Sequence, residues 1–379
     1  MNPISLTSNN HQKKGQINYF LSFSEFNKNV TVNKNKHSHL EVKRMDIFNN
    51  LDQYTNQIKD RIAASAAAIC VMKDNKIIHE WYSGFHHFHK GARKVDESSQ
   101  FNVYSTRVTY VGLAAAIAIN DGAIKSLDEP ISNYLKNYDL NILGNTTIRH
   151  LVTRTTGLQF QGNGVVLRKF AEGTSFEGKK PEVLAEIIKK ATGKTVAEII
   201  TERVFKPLGL TQTEWRTEGK ETLVCDINDP NTYPTLRLES NEGSDRNLYI
   251  TARELALWGN LHLNKGAIQG QQILPKALFE DVTSVKTPNS LPDQLPRIGY
   301  FWWIQDKKVA NSEIGPDLPE GTYQILGASG CSCAVIPEHN AVVVRMTNSL
   351  WTFGGKNGFD YVSDIQSFGN LITRALNQL

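Results

Sequence analysis

The sequence contains no long hydrophobic run and no cysteine pair at metal-ligand spacing. Because no stretch of about 18 consecutive apolar residues occurs, we expect no membrane-spanning helix and no membrane partner. The segment Met1–Phe20 lacks a continuous apolar core, so we expect no signal peptide and a cytoplasmic location. The four cysteines (Cys70, Cys225, Cys331 and Cys333) form no C-x-x-C motif, which favours reduced, buried thiols over a zinc site.

Excess positive charge is also missing from most of the chain. The formal net charge is +4, but residues 1–44 carry seven Lys and Arg against two Glu, so the other residues sum to −1. A nearly neutral body argues against a nucleic-acid partner. Residues 1–44 are predicted to be a basic, flexible tail, and docking of a partner protein there is an open alternative.

One histidine cluster raises the question of a metal. His86, His87 and His89 fall within four residues, but no carboxylate or further histidine follows at ligand spacing. We therefore expect an exposed loop, no metal site and no cofactor.

The order of the elements indicates the fold. An apolar hairpin, 66–71 and 76–81 around Lys73-Asp74-Asn75, comes first, and a helical pattern follows over 106–265. Helices are predicted at 108–120, 147–153, 181–192 and 360–379, with capping boxes at Thr195 and Thr251. Strands are predicted at 298–305, 322–328, 331–336 and 341–348.

This order predicts an α+β fold in which both chain ends build one antiparallel sheet flanked by helices. The predicted sheet domain comprises 45–105 and 266–379, and an α-helical domain, 106–265, is inserted into it. A ligand cleft is expected where the two domains meet.

Ser105 is the candidate nucleophile. It begins a helix, where a backbone N–H and the helix dipole can stabilise an oxyanion. A lysine three residues later would share its helix face and could accept the hydroxyl proton, but that residue is Val108. Arg107 is a poor substitute because it points about 100° away and does not accept protons near neutral pH.

Several motifs around Ser105 resemble those of the serine β-lactamase and penicillin-binding-protein superfamily, on the side of class C β-lactamases, D-amino-acid peptidases and esterases. Residues 122–130 are similar to G-x-x-x-L-D-D-P, and residues 207–213 to P-L-G-M-x-x-T. Residues 147–158 are similar to T-I-R-x-L-L-x-H-T-S-G-L, with Arg154 in place of the usual histidine. The resemblance covers residues 45–379 and implies the same fold.

The resemblance also implies three catalytic motifs, each of which this chain alters. S-x-x-K corresponds to Ser105 and Val108. Y-x-N corresponds to Phe176-Glu177-Gly178, and a two-residue shift would place Gly178 or Lys179 at the tyrosine position. K-T-G or H-x-G corresponds to Ile325-Leu326-Gly327, and the N–H of Ala328 would complete an oxyanion hole with that of Ser105. Val108, Phe176, Glu177, Gly178, Ile325 and Gly327 are thus expected to line the cleft.

Two functions remain open at this point. In the first, Ser105 transfers the acyl group of an ester or amide, with Glu177, Lys179 or Lys180 or water accepting the proton. Its ligand would be a small acyl, ester or peptide-like molecule, and β-lactamase or D,D-peptidase activity is not expected. In the second, the protein is an inactive member that binds a small ligand or a partner protein, because apolar residues replace all three proton-handling groups.

Overall fold

The computed structural model describes residues 37–161, 164–178 and 180–379. Most of the predicted tail and all of Lys179 therefore lie outside the described residues. Helices occupy α1 His37–Arg61, α2 Val108–Asn120, α3 Leu140–Leu143, α4 Ile148–Val152, α5 Pro181–Thr192, α6 Val196–Ile200, α7 Lys206–Leu208, α8 Ala252–Leu263, α9 Lys276–Val282 and α10 Tyr361–Leu376.

Strands occupy β1 Ala66–Lys73, β2 Lys76–Gly84, β3 Phe101–Asn102, β4 Leu158–Gln161, β5 Gly164–Arg168, β6 Thr213–Trp215, β7 Leu248–Ile250, β8 Ala267–Ile268, β9 Gln271–Gln272, β10 Arg297–Ile298, β11 Trp303–Ile304, β12 Tyr323–Leu326, β13 Ser332–Ile336 and β14 Ala341–Thr347. Among the described residues, no helix is both long and apolar enough to cross a bilayer.

A seven-stranded antiparallel sheet joins the two ends of the chain. Its order is β10-β11-β12-β13-β14-β1-β2, so the first hairpin pairs directly with the last strand. This arrangement confirms the predicted α+β fold. The exact domain boundaries stay a prediction, and the region 106–265 also contains strands β4 to β7.

Helices cover both faces of the sheet. Successive side chains of a strand point to opposite faces, and in β14 Val342 and Val344 belong to the cluster that contains α2 and α8. Val343 belongs to a second cluster, with Phe48 of α1 and Phe368 of α10. Ser105 precedes α2, and the sheet is the rigid support for the site described below.

Helix α1 begins at His37, within the segment 1–44 that was assigned to the tail, and packs through Phe48 and Leu51 against the sheet. One sequence prediction needs correction. The strand predicted over 298–305 is two strands, because the chain leaves the sheet between β10 and β11. There Phe301 has a left-handed φ of 67°, and its N–H donates to the carbonyl of Val152.

Candidate functional site

Ser105 lies in a 3₁₀ turn, Tyr104–Arg107, that leads directly into α2. The residue before it, Tyr104, has a left-handed φ of 45°, which is uncommon for a bulky side chain. The side chain of Asn102 holds this conformation, since its Oδ1 accepts the N–H of Tyr104 at 3.1 Å. Strain of this kind persists only where surrounding contacts fix it, and it is concentrated at functional sites.

A buried carboxylate stabilises the same turn from the other side. The Tyr104 hydroxyl donates to Asp226 Oδ2 at 2.6 Å, and Asn102 Nδ2 donates to the same oxygen at 3.4 Å. Burial raises the pKa of Asp226 to about 6, although both hydrogen bonds act to lower it. Asp226 therefore changes its charge near neutral pH while it supports the residue next to Ser105.

The end of strand β12 touches this turn through Gly327. A Cβ at Gly327 would lie 2.3 Å from the carbonyl oxygen of Val103, so only glycine allows the two backbones to approach this closely. The Ser329 hydroxyl adds a link, donating to the carbonyl of Asn102 at 3.0 Å. The end of β12 and the turn that contains Ser105 thus form one connected unit.

Two backbone donors of this unit are free. The N–H groups of Ser105 and Ala328 donate to no acceptor in the described part of the chain. Both residues line the same cavity, of about 280 Å³. Free N–H groups beside a serine are the donors that stabilise the oxyanion of an acyl-transfer intermediate.

Val108 and Ile325, which were predicted to line the cleft, are not among the residues that line this cavity. Both are 0% exposed and belong to the main hydrophobic core. Ile325 lies within β12, and the neighbouring side chain, Leu326, points to the opposite face and lines the cavity. Val108 stands where the resemblance places a lysine, and Ile325 stands where it places a lysine or histidine. Both side chains are therefore packed in the core, out of contact with solvent.

The residues of the second motif have structural contacts of their own. Phe176 packs edge-on against Trp303, with ring centroids 5.5 Å apart. The Glu177 carboxylate accepts the N–H groups of Thr156 and Gly157, both at 2.8 Å, and also the Thr156 hydroxyl. Burial raises the pKa of Glu177, and the same three hydrogen bonds oppose that change.

Gly178 and Lys180 make no hydrogen bond with Ser105 among the described residues. Gly178 has no side chain and lies in an open position, with nothing within 4 Å of where a Cβ would be. The Lys180 ammonium lies over the ring of Phe160, 5.0 Å from its centroid. Among the described residues, Ser105 Oγ makes no hydrogen bond.

Polar residues that sequence reasoning missed complete the cavity wall. Glu313, Arg345, Tyr361 and Asp364 all line it. They lie in segments far from Ser105 in sequence, and no motif marks them. The pairing of the sheet brings Arg345, and the packing of α10 brings Tyr361 and Asp364, to the cavity that Ser105 lines.

The histidine cluster forms no metal centre in the described residues, where no three His, Cys, Asp or Glu side chains are close enough to hold an ion. His86 is buried, with its Nε2 2.9 Å from the Ser99 hydroxyl. His89 instead packs against Tyr233, with ring centroids 5.1 Å apart.

The chain matches known proteins along most of its length. The family model "Beta-lactamase" matches residues 51–362. An uncharacterized protein of Alkalihalophilus pseudofirmus is 40% identical over 338 residues, which cover 87% of this chain and 98% of that protein.

Solved structures with the same fold include enzymes. "EstCE1, a hydrolase with promiscuous acyltransferase activity" is 17% identical, with a TM-score of 0.68 over 86% of this chain and 99% of that chain. A penicillin-binding protein homologue from Caulobacter crescentus is 14% identical, with a TM-score of 0.66 over 86% of this chain and 97% of that chain. At these identities the similarity establishes the fold alone.

Proposed function

The chain belongs to the β-lactamase family, and on that premise we propose that it is a serine hydrolase-like protein that transfers the acyl group of a small ester or amide to Ser105. The observation that carries the proposal is the pair of free N–H groups, of Ser105 and Ala328, on the wall of the cavity that contains Ser105. An ester carbonyl placed there would receive two hydrogen bonds as its oxygen becomes negative.

The reaction follows from this placement. Solvent hydroxide removes the proton of Ser105 as its Oγ attacks the carbonyl carbon, the bond to the leaving oxygen or nitrogen breaks, and water returns a proton to the leaving group. Water then hydrolyses the acyl–serine ester to release the acid. Because no described group is hydrogen-bonded to Ser105 Oγ, we expect rates about 10²–10⁴-fold below those of relatives with a base.

Hydrolysis of β-lactams or D,D-peptides is not part of this proposal. An amide leaving group needs a proton in the transition state, and Phe176 lacks the hydroxyl that would deliver it. We therefore expect activated esters, whose leaving groups depart without help, to be the substrates that react fastest.

A second function is favoured by one observation. Val108 and Ile325 are completely buried in the core. This is expected if the protein no longer transfers protons at these two positions, because an ionisable side chain buried there without a partner would be costly. On this alternative the protein is an inactive family member that binds a small ligand or a partner protein. A protein partner and a cytoplasmic location are likewise proposals that rest on the sequence.

Intact-mass spectrometry distinguishes the two functions. On the first, p-nitrophenyl acetate or a fluorophosphonate adds one acyl or phosphonyl mass, which Ser105→Ala abolishes. Ser126→Ala, which removes a hydroxyl outside the cavity, should leave the adduct unchanged. Absence of any adduct on the unmodified protein would reject acyl transfer and favour the inactive alternative.

A further inference from the structure

The cavity beside Ser105 reaches well beyond the reacting atoms. From Ser105 and the Gly327–Gly330 turn it extends to Ile58 and Ile62 of α1 and to Ile365 of α10. Phe359 belongs with the two isoleucines of α1 to one separate apolar cluster. The part of the cavity away from Ser105 is thus a pocket between two helices, which we call the α1–α10 pocket.

Among the described residues of the wall, Arg345 is the one cation, and it is already fully engaged. Arg345 donates to Asp364 through Nη1 at 3.0 Å and Nη2 at 2.8 Å, and through Nε to the carbonyl of Gly330 at 3.2 Å. Both side chains are almost completely buried, and the Tyr54 hydroxyl donates to Asp364 at 3.1 Å. A ligand carboxylate could recruit Arg345 only by breaking this pair, which would leave Asp364 buried without its partner.

The remaining charge on the wall is negative. The Glu313 carboxylate has no ion-pair partner within 4.0 Å among the described residues, and the Tyr361 hydroxyl is the one group there that is hydrogen-bonded to it, at 3.5 Å. Arg154 lies outside the wall, with its guanidinium over Trp303 at 4.9 Å and its Nε bound to the carbonyl of Glu177 at 3.0 Å. The charge of Arg154 still acts on Glu313. An anionic ligand would thus find no unpaired cation among the described residues of the wall.

We propose that the α1–α10 pocket binds an uncharged alkyl or aryl group of the substrate. This inference rests on the proposed function, which places the reacting carbonyl at Ser105 and so directs the rest of the molecule toward α1 and α10. A cavity of about 150 Å³ holds benzene. The cavity here, about 280 Å³, has room for the carbonyl and a chain of about six carbons beyond it.

Ligand binding without chemistry tests the pocket. Isothermal titration calorimetry with Ser105→Ala would compare 1-hexanol, hexanoate and hexylammonium, which share one chain and differ in charge. We expect saturable binding of hexanol, with hexanoate at least about tenfold weaker. Equal or tighter binding of hexanoate would overturn the inference, and so would a lack of saturable hexanol binding.

Variants locate the binding. Ile58→Phe fills the pocket and should abolish hexanol binding. Phe353→Asp charges a lining residue that is 58% exposed, so folding should be spared while the affinity falls about tenfold. Phe88→Asp is the matched control, because Phe88 is 54% exposed and lies outside the cavity.

The two proposals can fail separately. Hexanol binding that Ile58→Phe abolishes, together with no adduct on the unmodified protein, would support the pocket and reject acyl transfer. An adduct at Ser105 with hexanol affinity unchanged in both Phe353→Asp and a folded Ile58→Phe would reject the pocket alone.

Discussion

Replacing Asp226 by asparagine should change the way stability depends on pH. Asp226 is 2% exposed, and burial raises its pKa from 3.8 to about 6. The folded state therefore holds a proton on this carboxyl at pH values where the unfolded chain has lost it. Its stabilising contribution is complete below about pH 4 and is lost as pH rises through 6.

The magnitude follows from the size of the shift. A difference of about two pKa units corresponds to about 3 kcal/mol. Asparagine keeps an oxygen that can accept the Tyr104 hydroxyl and carries no titrating proton. The free energy of unfolding of the unmodified protein, minus that of Asp226→Asn, should thus fall by about 3 kcal/mol between about pH 3.5 and 7.5.

Urea unfolding monitored by tryptophan fluorescence, repeated across this pH range, measures the difference. Asp128→Asn is the control of opposite sign, because the hydrogen bond and charge of Arg149 lower the pKa of Asp128. Its difference should rise with pH. A pH-independent difference for Asp226→Asn, or one that rises with pH, would refute the account of this carboxyl.

Three further predictions concern the turn that contains Ser105 and the residues next to it. Gly327→Ala should slow acylation of Ser105 about 100-fold, because the added Cβ would push the end of β12 away from the Val103 carbonyl. Gly219→Ala is the control and should not slow it, because a Cβ there makes only one ordinary contact. Stopped-flow kinetics of ester acylation measure both variants. Val108→Lys should lower the free energy of unfolding by about 3–5 kcal/mol in urea titrations, while Val108→Leu costs less, because the ammonium would enter the core unpaired. Tyr104→Phe removes the hydroxyl that donates to Asp226 and should destabilise the protein by about 1–3 kcal/mol at pH 7.5. The destabilisation should be smaller at pH 4.5, because a protonated, neutral Asp226 carboxyl depends less on this hydrogen bond. Urea titrations at the two pH values measure the difference.

Local signals predicted the elements that they directly control. The first hairpin turns at Asp74 and Asn75, as predicted, and both residues adopt left-handed conformations. Helix α5 begins at Pro181 and ends before Gly193, and Thr195 and Glu198 form the expected capping box. Each of these depends on residues within a few positions of one another.

Features that depend on tertiary packing were missed. Phe48, Leu51 and Ile58 mark one face of α1, but they lie in an Asn-rich segment with weak helix signals. Glu254 at the other predicted capping box does not reach back to Thr251. Its carboxylate instead accepts N–H groups of Thr211 and Gln212 and the hydroxyl of Thr213.

At the candidate site, the sequence prediction and the structure differ by one residue in strand β12. The motif alignment selected Ile325, whereas its neighbour Leu326 lines the cavity, because adjacent residues of a strand face opposite ways. The motifs pointed to Ser105 and Gly327, and both residues line the cavity. The motifs could not identify Arg345 or Asp364, which reach the wall through strand register and helix packing.

The pH dependence of acylation tests the central claim most directly, which is that Ser105 has oxyanion donors but no general base. Acylation by p-nitrophenyl acetate should be followed between about pH 6 and 9, after subtraction of the Ser105→Ala background. Without a base the logarithm of the rate should rise with a slope of one and no plateau, since hydroxide must remove the proton. A plateau with an apparent pKa in this range would reveal a base and contradict the account.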